Sequence, residues 1–207
     1  MSVEVVPKHK GRKQLFENSF LERLTRTHIA IPISIFILYS ASLLVYSIYT
    51  VQSLSIGQTI LLFFVGLFFF TFVEYVMHRY LFHISTDTPR KAKLQYTLHG
   101  VHHEYPKDKE RLAMPPVMSI TIATLLLFLF RLILGDFVFA FLPGFLVGYS
   151  LYLVMHYVQH IFKAPRLLKS WWANHAVHHY KDQTKAYGVS SPLWDYVFRT
   201  MPTKGQK

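Results

Sequence analysis

The sequence predicts an all-α integral membrane protein: a four-helix transmembrane bundle with a cytoplasmic helical cap that holds a His-rich dimetal site. Three observations predict it. Four apolar runs of about 20 residues are each long enough to cross a hydrocarbon core of ~30 Å at 1.5 Å per helical residue. Lys and Arg gather on the segments at one end of those runs. Ten of the twelve histidines fall into four clusters, and all four clusters lie at that same end.

The first span is expected at 28–50 and the second at 56–77, with the polar stretch 52–55 and Gly57 marking the turn between them. The third is expected at 117–134 and the fourth at 137–157, joined by Gly135 and Asp136, a connection short even for a helical hairpin. Pro115 and Pro116 sit where a helix can start but not continue backwards, and Pro143 with Gly144 predicts a kink or break early in the fourth span. With 52% hydrophobic residues, 18 Phe and 13 Tyr, the composition suits lipid contact and interfacial belts. Phe63, Phe64 and residues 68–70 are read as lipid-facing or bundle packing.

Charge orients the bundle. Residues 1–27 carry six Lys or Arg, residues 78–115 seven and residues 161–207 eight, whereas the opposite turns carry only Arg131. By the positive-inside rule both termini and the middle loop are cytoplasmic. Residues 1–27 then form an N-terminal cytoplasmic segment, and residues 28–207 one domain with cytoplasmic His-rich segments at 78–115 and 158–207. The polar first 27 residues before a long span fit an anchor rather than a cleaved signal peptide. The net charge of +11 is spread over three membrane-flanking segments without a nucleic-acid motif, so anionic lipid is the expected partner and nucleic acid is not. The stretch 163–174, with Trp171 and Trp172 among Lys163, Arg166 and Lys169, reads as an interfacial amphipathic helix. The alternating charges at 107–111 read as a solvated loop, or as a headgroup or redox-partner contact.

The chain has no cysteine, which excludes disulfides, thiolate-ligated zinc and iron–sulfur clusters; a metal must take nitrogen and oxygen ligands. His78 and His83 form the first cluster, His99, His102 and His103 the second, His156 and His160 the third, and His175, His178 and His179 the fourth. On a helix, residues three and four apart share a face, so each H-x-x-H-H is expected to present three imidazoles on one side. His78 and His83 stand about 140° apart on an α-helix, which predicts a helix end near Leu81. Two closed tetrahedral zinc sites use eight nitrogens; ten divide into five plus five, leaving each ion a position for oxygen or a bridging water. Glu74, one turn before His78 inside an apolar run, is expected either to orient a liganding imidazole or to pair with Arg79 or Arg111. His9 and His28, outside the clusters, are expected in interfacial or capping roles.

Taken together, these segments resemble the fatty acid hydroxylase superfamily, the sterol desaturase-like membrane dimetal oxygenases, and within it the fatty acid 2-hydroxylases. The resemblance is carried by Glu74-Tyr75-Val76-Met77-His78-Arg79-Tyr80-Leu81-Phe82-His83, by His99-Gly100-Val101-His102-His103-Glu104-Tyr105-Pro106 running on to Met114-Pro115-Pro116, by His156 to His160 and His175 to His179, and by Trp194-Asp195-Tyr196-Val197-Phe198. It implies a pair of iron ions on the ten clustered histidines, O2 as cosubstrate, and insertion of one oxygen atom beside an acyl carbonyl, giving a 2-hydroxy acyl chain, free or in a ceramide or sphingolipid. It also implies a separate electron donor of cytochrome b5 or ferredoxin type with its reductase, and a home in the endoplasmic reticulum or bacterial inner membrane. Zinc can replace iron in purified protein. Tyr152 matches the family pattern and is, with Glu74, an expected neighbour of the ligands. Leu153 stands where the family often has Asp and Ile161 where it often has another His, and the pattern around Tyr187-Gly188-Val189 and Arg199 is only partly kept.

Two alternatives stay open on the sequence. Another superfamily activity, on a sterol, carotenoid or alkyl lipid, uses the same histidines. A non-catalytic zinc-binding membrane protein or metal transporter is the reading from a different class, although transporters place ionisable ligands near the midplane and these lie at span ends.

Overall fold

The structure, a computed structural model, describes residues 6–206. Residues 1–5 of the expected cytoplasmic segment, and Lys207, lie outside the described residues. All regular structure among the described residues is helical. Three segments are long and apolar enough to cross a membrane, Ala30–Thr50, Ile56–Phe82 and Lys109–Ile161, and the chain is a membrane protein.

A short helix α1 (Ser19–Arg23) is capped by Asn18, whose side chain accepts from the amides of Phe20 and Leu21. Helix α2 (Ala30–Thr50) follows, with His28 Nδ1 accepting from the Ala30 amide at 3.3 Å, a capping role. Helix α3 (Ile56–Val76) opens on a capping box between Ser55 and Gln58 and runs without an α-helical stop into a π-helical turn, Met77–Phe82. The chain continues with α4 (Pro89–Gln95), which passes through a second π turn, Tyr96–Gly100, into α5 (Val101–Glu104). The third apolar segment folds into α6 (Pro116–Leu134) and α7 (Val138–Ile161) around the turn Gly135–Phe137, where Gly135 has φ +57°. Helices α8 (Lys169–Tyr180) and α9 (Leu193–Val197) complete the chain.

Helix α7 packs against α2, α3 and α6. Ala140 and Leu142 are fully buried in it, while α3 exposes Phe64 and Phe68 outward, as a lipid-facing helix does. Two glycines set the α3–α7 contact: a Cβ on Gly66 would lie 2.0 Å from the Phe141 carbonyl oxygen, and one on Gly144 would lie 1.8 Å from that of Phe63. Backbones can approach this closely only where side chains are absent. That contact brings the C-terminal ends of α3 and α7, each carrying a histidine pair, side by side.

Three expectations are corrected. The break expected at Pro143 does not occur: helix α7 runs on through it, in its second turn, where the ring displaces a single i−4 hydrogen bond; Ser40 Oγ of α2 donates to the Pro143 carbonyl at 3.3 Å. The stretch 163–174 is not one helix, because Pro165 stops a helix from beginning earlier; a short 3-10 turn at Arg166–Leu168 leads into α8, which starts at Lys169 and runs on to Tyr180. The charges at 107–111 are solvated only in part: Lys107, Lys109 and Glu110 are exposed, but the Arg111 and Asp108 side chains are only 5% and 6% exposed, and Arg111 Nη2 meets Glu22 Oε1 at 2.5 Å. The N-terminal segment is bound to this loop through Arg12–Glu110 and Thr27 N to Glu110 O as well.

Candidate metal centre

The two π turns solve the problem posed by the spacing of His78 and His83. An α-helix turns about 100° per residue and sets the two rings far apart, but a π turn closes i to i+5 and returns the fifth residue to the same face. The His83 amide indeed donates to the His78 carbonyl at 3.2 Å, and the helix ends at His83. Sequence spacing predicts a helix end there; the structure puts a widened turn before it.

The ten clustered histidines are brought together as two adjacent groups. The first holds His78, His83, His99, His103 and His178. The second holds His102, His156, His160 and His179, and His175 joins it with its Nε2 at 2.9 Å from His160 Nε2. The rings of His103 and His179 stack at 4.2 Å between centroids where the groups meet. The expectation of three imidazoles on one side of each H-x-x-H-H is corrected. His99 and His103 go to the first group and His102 to the second; His175 and His179 go to the second and His178 to the first. The reason is angular: residues i and i+4 nearly eclipse, whereas i+3 and i+4 are neighbours about 100° apart and point at neighbouring centres. Each group therefore takes one pair from the end of α3 or α7, one i,i+4 pair from its own H-x-x-H-H, and one crossing imidazole from the other.

The donor set fits cations. His78 Nδ1 donates to the Tyr187 carbonyl at 2.5 Å, and His178 Nδ1 donates to the Lys185 carbonyl at 2.7 Å. A carbonyl only accepts, so both rings carry their proton on Nδ1 and, being neutral, turn an Nε2 lone pair inward. Those lone pairs face His99 Nε2 at 3.1 Å and His83 Nε2 at 3.0 Å, while His103 Nε2 also reaches His99 Nε2 at 3.0 Å. Extra protons are a poor answer to this crowding. Burial, reinforced by neighbouring imidazoles, holds His99, His102, His103, His175, His178 and His179 well below the ordinary histidine range and pushes His83 down to about 3. Neutral rings with converging lone pairs are what a metal ion requires. In the second group both nitrogens of His102 and of His179 are buried without a hydrogen-bond partner, which fits the same reading.

Glu74 neither orients an imidazole directly nor pairs with Arg79 or Arg111. It accepts from the amides of Val189 and Ser190, at 2.6 and 2.8 Å, and from Ser190 Oγ. Arg79 donates instead to Tyr75 Oη at 2.8 Å. The main chain of residues 185–190 lies close enough to take up the carboxylate's lone pairs, and this same loop supplies the carbonyls that hold His78 and His178. Asp195 is the residue that spacing did not single out. Its carboxylate accepts from the amides of Tyr187 and Gly188, at 2.9 and 2.8 Å, and from Thr200 Oγ1 at 2.6 Å. Burial raises its pKa while these donors work against that rise. The only sequence sign was its place in the Trp-Asp motif. Trp171 Nε1 adds a bond to the Val189 carbonyl at 2.8 Å. Tyr152 does sit at a ligand candidate: its ring stacks on His156 at 5.5 Å. Leu153 is buried at 1% exposure in the apolar core, and Ile161 ends α7.

Known proteins resemble this chain in sequence and fold. The profile of the fatty acid hydroxylase family matches residues 63–200, which contain all ten clustered histidines. Ceramide very long chain fatty acid hydroxylase scs7 of Schizosaccharomyces pombe is 37% identical over 206 residues, 94% of this chain and 57% of that protein. Fatty acid 2-hydroxylase of Mus musculus is 42% identical over 166 residues, 75% of this chain and 42% of that protein. The chain thus spans about half the length of these relatives. A solved structure of full-length scs7p, in which only the hydroxylase domain is visible, superposes with a TM-score of 0.85 at 32% identity, covering 95% of this chain and 75% of that one. On the family profile, the relatives and the shared fold, the chain belongs to the fatty acid hydroxylase family.

Proposed function

We propose that the chain is a membrane-bound, O2-dependent lipid hydroxylase that adds a hydroxyl group at C2 of a fatty acyl chain, free or within a ceramide or other sphingolipid. The observation that carries this reading is the pair of five-imidazole groups with inward lone pairs, in a family whose similar members are named for 2-hydroxylation of fatty acids and hydroxylation of ceramide. His78, His83, His99, His103 and His178 would hold one iron ion, and His102, His156, His160, His175 and His179 the other; zinc can occupy the same nitrogens without the redox chemistry. The chemistry two bound irons supply is reduction of O2, with one oxygen atom passing into the C–H bond beside the acyl carbonyl.

The chain's own residues do the positioning. The Tyr187 and Lys185 carbonyls fix the tautomers of His78 and His178, Glu74 and Asp195 hold that loop, and Tyr152 steadies His156. Four crossings, by α2, α3, α6 and α7, put both termini and the cap on the cytoplasmic side, in the endoplasmic reticulum or bacterial inner membrane. A site at the cytoplasmic edge meets a lipid near its headgroup, where the carbonyl lies. Residues 28–207 form the hydroxylase domain and residues 1–27 a cytoplasmic segment, of which residues 8–27 are bound against it. Electrons come from a carrier of cytochrome b5 or ferredoxin type.

The test is anaerobic reconstitution with ferrous iron, a reductant system and ceramide, followed by ¹⁸O₂ and mass spectrometry. One labelled oxygen atom is expected at C2, abolished by His102→Ala or His178→Ala. Label found only in another lipid moves the assignment to that substrate; vesicle metal uptake with no oxygen consumed moves it to a transporter.

A further inference from the structure

A cavity of about 470 Å³ opens beside the cap and is lined by Gln159, His160, His175 and His179, with Lys107 and Lys169 among its other walls. All three histidines belong to the second group. The two lysines are exposed, so the opening lies in water or among headgroups, not in hydrocarbon. Among the lining residues, Gln159 Oε1 and Nε2 and His175 Nδ1 have no partner, and Asn174, between the lining residues Ala173 and His175 in the chain, leaves its Oδ1 unmet as well. Metal ligation takes one nitrogen per ring and leaves all of these unmet. Groups of this kind in protein interiors are met by buried water, each molecule bridging two to four of them.

We infer that this cavity is the aqueous entrance to the second histidine group and brings it the protons that oxygen reduction consumes, with Gln159 holding water along the inner wall. The inference rests on the hydroxylase reading for what the protons do. Hydroxylation balances as R–H + O2 + 2 e⁻ + 2 H⁺ → R–OH + H2O: the C–H and O–O bonds break, a C–O bond forms, and one oxygen leaves as water. The two electrons come from the one-electron carrier and the two protons from solvent. A lipid substrate brings neither, so a wet path to one ion must exist beside the dry path taken by the acyl chain.

The first test uses the full chain in lipid nanodiscs, loaded with zinc and exposed to a water-soluble chelator, and so does not depend on catalysis. Zinc should leave in two phases, the faster one missing in His102→Ala. Filling the cavity with Ala173→Phe, or independently with Ala176→Trp at its rim, should slow the fast phase at least tenfold and leave the slow phase alone. A fast phase that survives in His102→Ala, or that neither filling variant slows, overturns the entrance. The second test uses iron-loaded protein and Gln159→Leu. Metal content should match wild type, while the solvent deuterium isotope effect at least doubles and more peroxide is released per O2 consumed, both restored by Gln159→Glu. Wild-type isotope effect and coupling in Gln159→Leu overturn the proton role. If no lipid is hydroxylated at all while the zinc result stands, the hydroxylase reading fails and the entrance survives.

Discussion

The two histidine groups draw on the same kinds of residue and differ in what stands behind the rings. In the first, His78 and His178 are fastened to carbonyls of the 185–190 loop, which is itself held by Glu74, Asp195 and Trp171. In the second, His102, His175 and His179 have back nitrogens without partners, as does His103 of the first, and a cavity reaches the rings of His160, His175 and His179. A rigid, braced centre and a hydrated, reachable one are different instruments even with equal ligand numbers, because outer contacts set ring orientation and basicity. The comparison breaks most sharply on the crossing imidazoles. Single alanine variants of His99 and His178 should each lose one bound ion, and the double variant should lose no more; His178→Ala combined with His175→Ala should lose both. Activity should fall in each by more than the ~10–100-fold that loss of an outer contact costs. Metal analysis that groups His178 with His175 dissolves the two-group assignment.

Next in size is the brace. Asp195→Asn puts an amide donor against the Tyr187 or Gly188 amide, so the loop carbonyls lose their register over the first group alone. The first ion should bind ~10–100-fold more weakly and the second as in wild type, read by metal titration. Equal weakening at both groups says the loop is general scaffold. Smaller still is Gly144→Ala, whose methyl must push α7 away from the Phe63 carbonyl. Overpacking of this kind costs about 1–3 kcal/mol, and because α3 and α7 each end in a histidine pair, both groups should suffer alike. A thermal melt with metal titration distinguishes this symmetric loss from the one-sided loss at Asp195.

Much of this was legible in the chain. The α2, α3, α6 and α7 boundaries follow from apolar runs punctuated by Ser55, Pro116 and Gly135, since hydrophobic length and helix-starting residues are local properties. The ten histidines were legible as a set of five plus five because imidazoles have few other reasons to gather. Their partition was not legible. It depends on π turns at Met77–Phe82 and Tyr96–Gly100 and on how far His102 swings from His103, which only packing of α5 against its neighbours decides. Glu74 was seen as a carboxylate in need of partners, but those partners are amides 115 and 116 residues away. Asp195 reads as an ordinary exposed acid until the chain returns it to Tyr187. The burial of Arg111 and Asp108 was hidden for the same reason: alternating charge looks solvated until another segment covers it.

That covering segment gives the smallest expected effect and the one that should spare the contrast between the two groups. Glu22 accepts from Arg26, from the amides of Leu15 and Phe16 and from Arg111, whose loop follows His102 and His103; Glu110 and Asp108 face the same arginines. Burial alone raises a carboxyl, but these donors win and hold Glu22 at about 2, below its ordinary 4.5. A depressed folded value means the stabilisation is complete above about pH 4.5 and is lost as pH falls toward about 2. Glu22→Gln should therefore melt below wild type at pH 7, and the gap should narrow between pH 4.5 and 2, with hydrogen exchange quickening in residues 104–111. Metal content should change alike at the two groups, because residues 104–111 directly follow His102 of the second group and His103 of the first. A gap that stays constant through that window shows that Glu22 contributes shape rather than charge, and a one-sided metal loss shows that the N-terminal segment favours one centre.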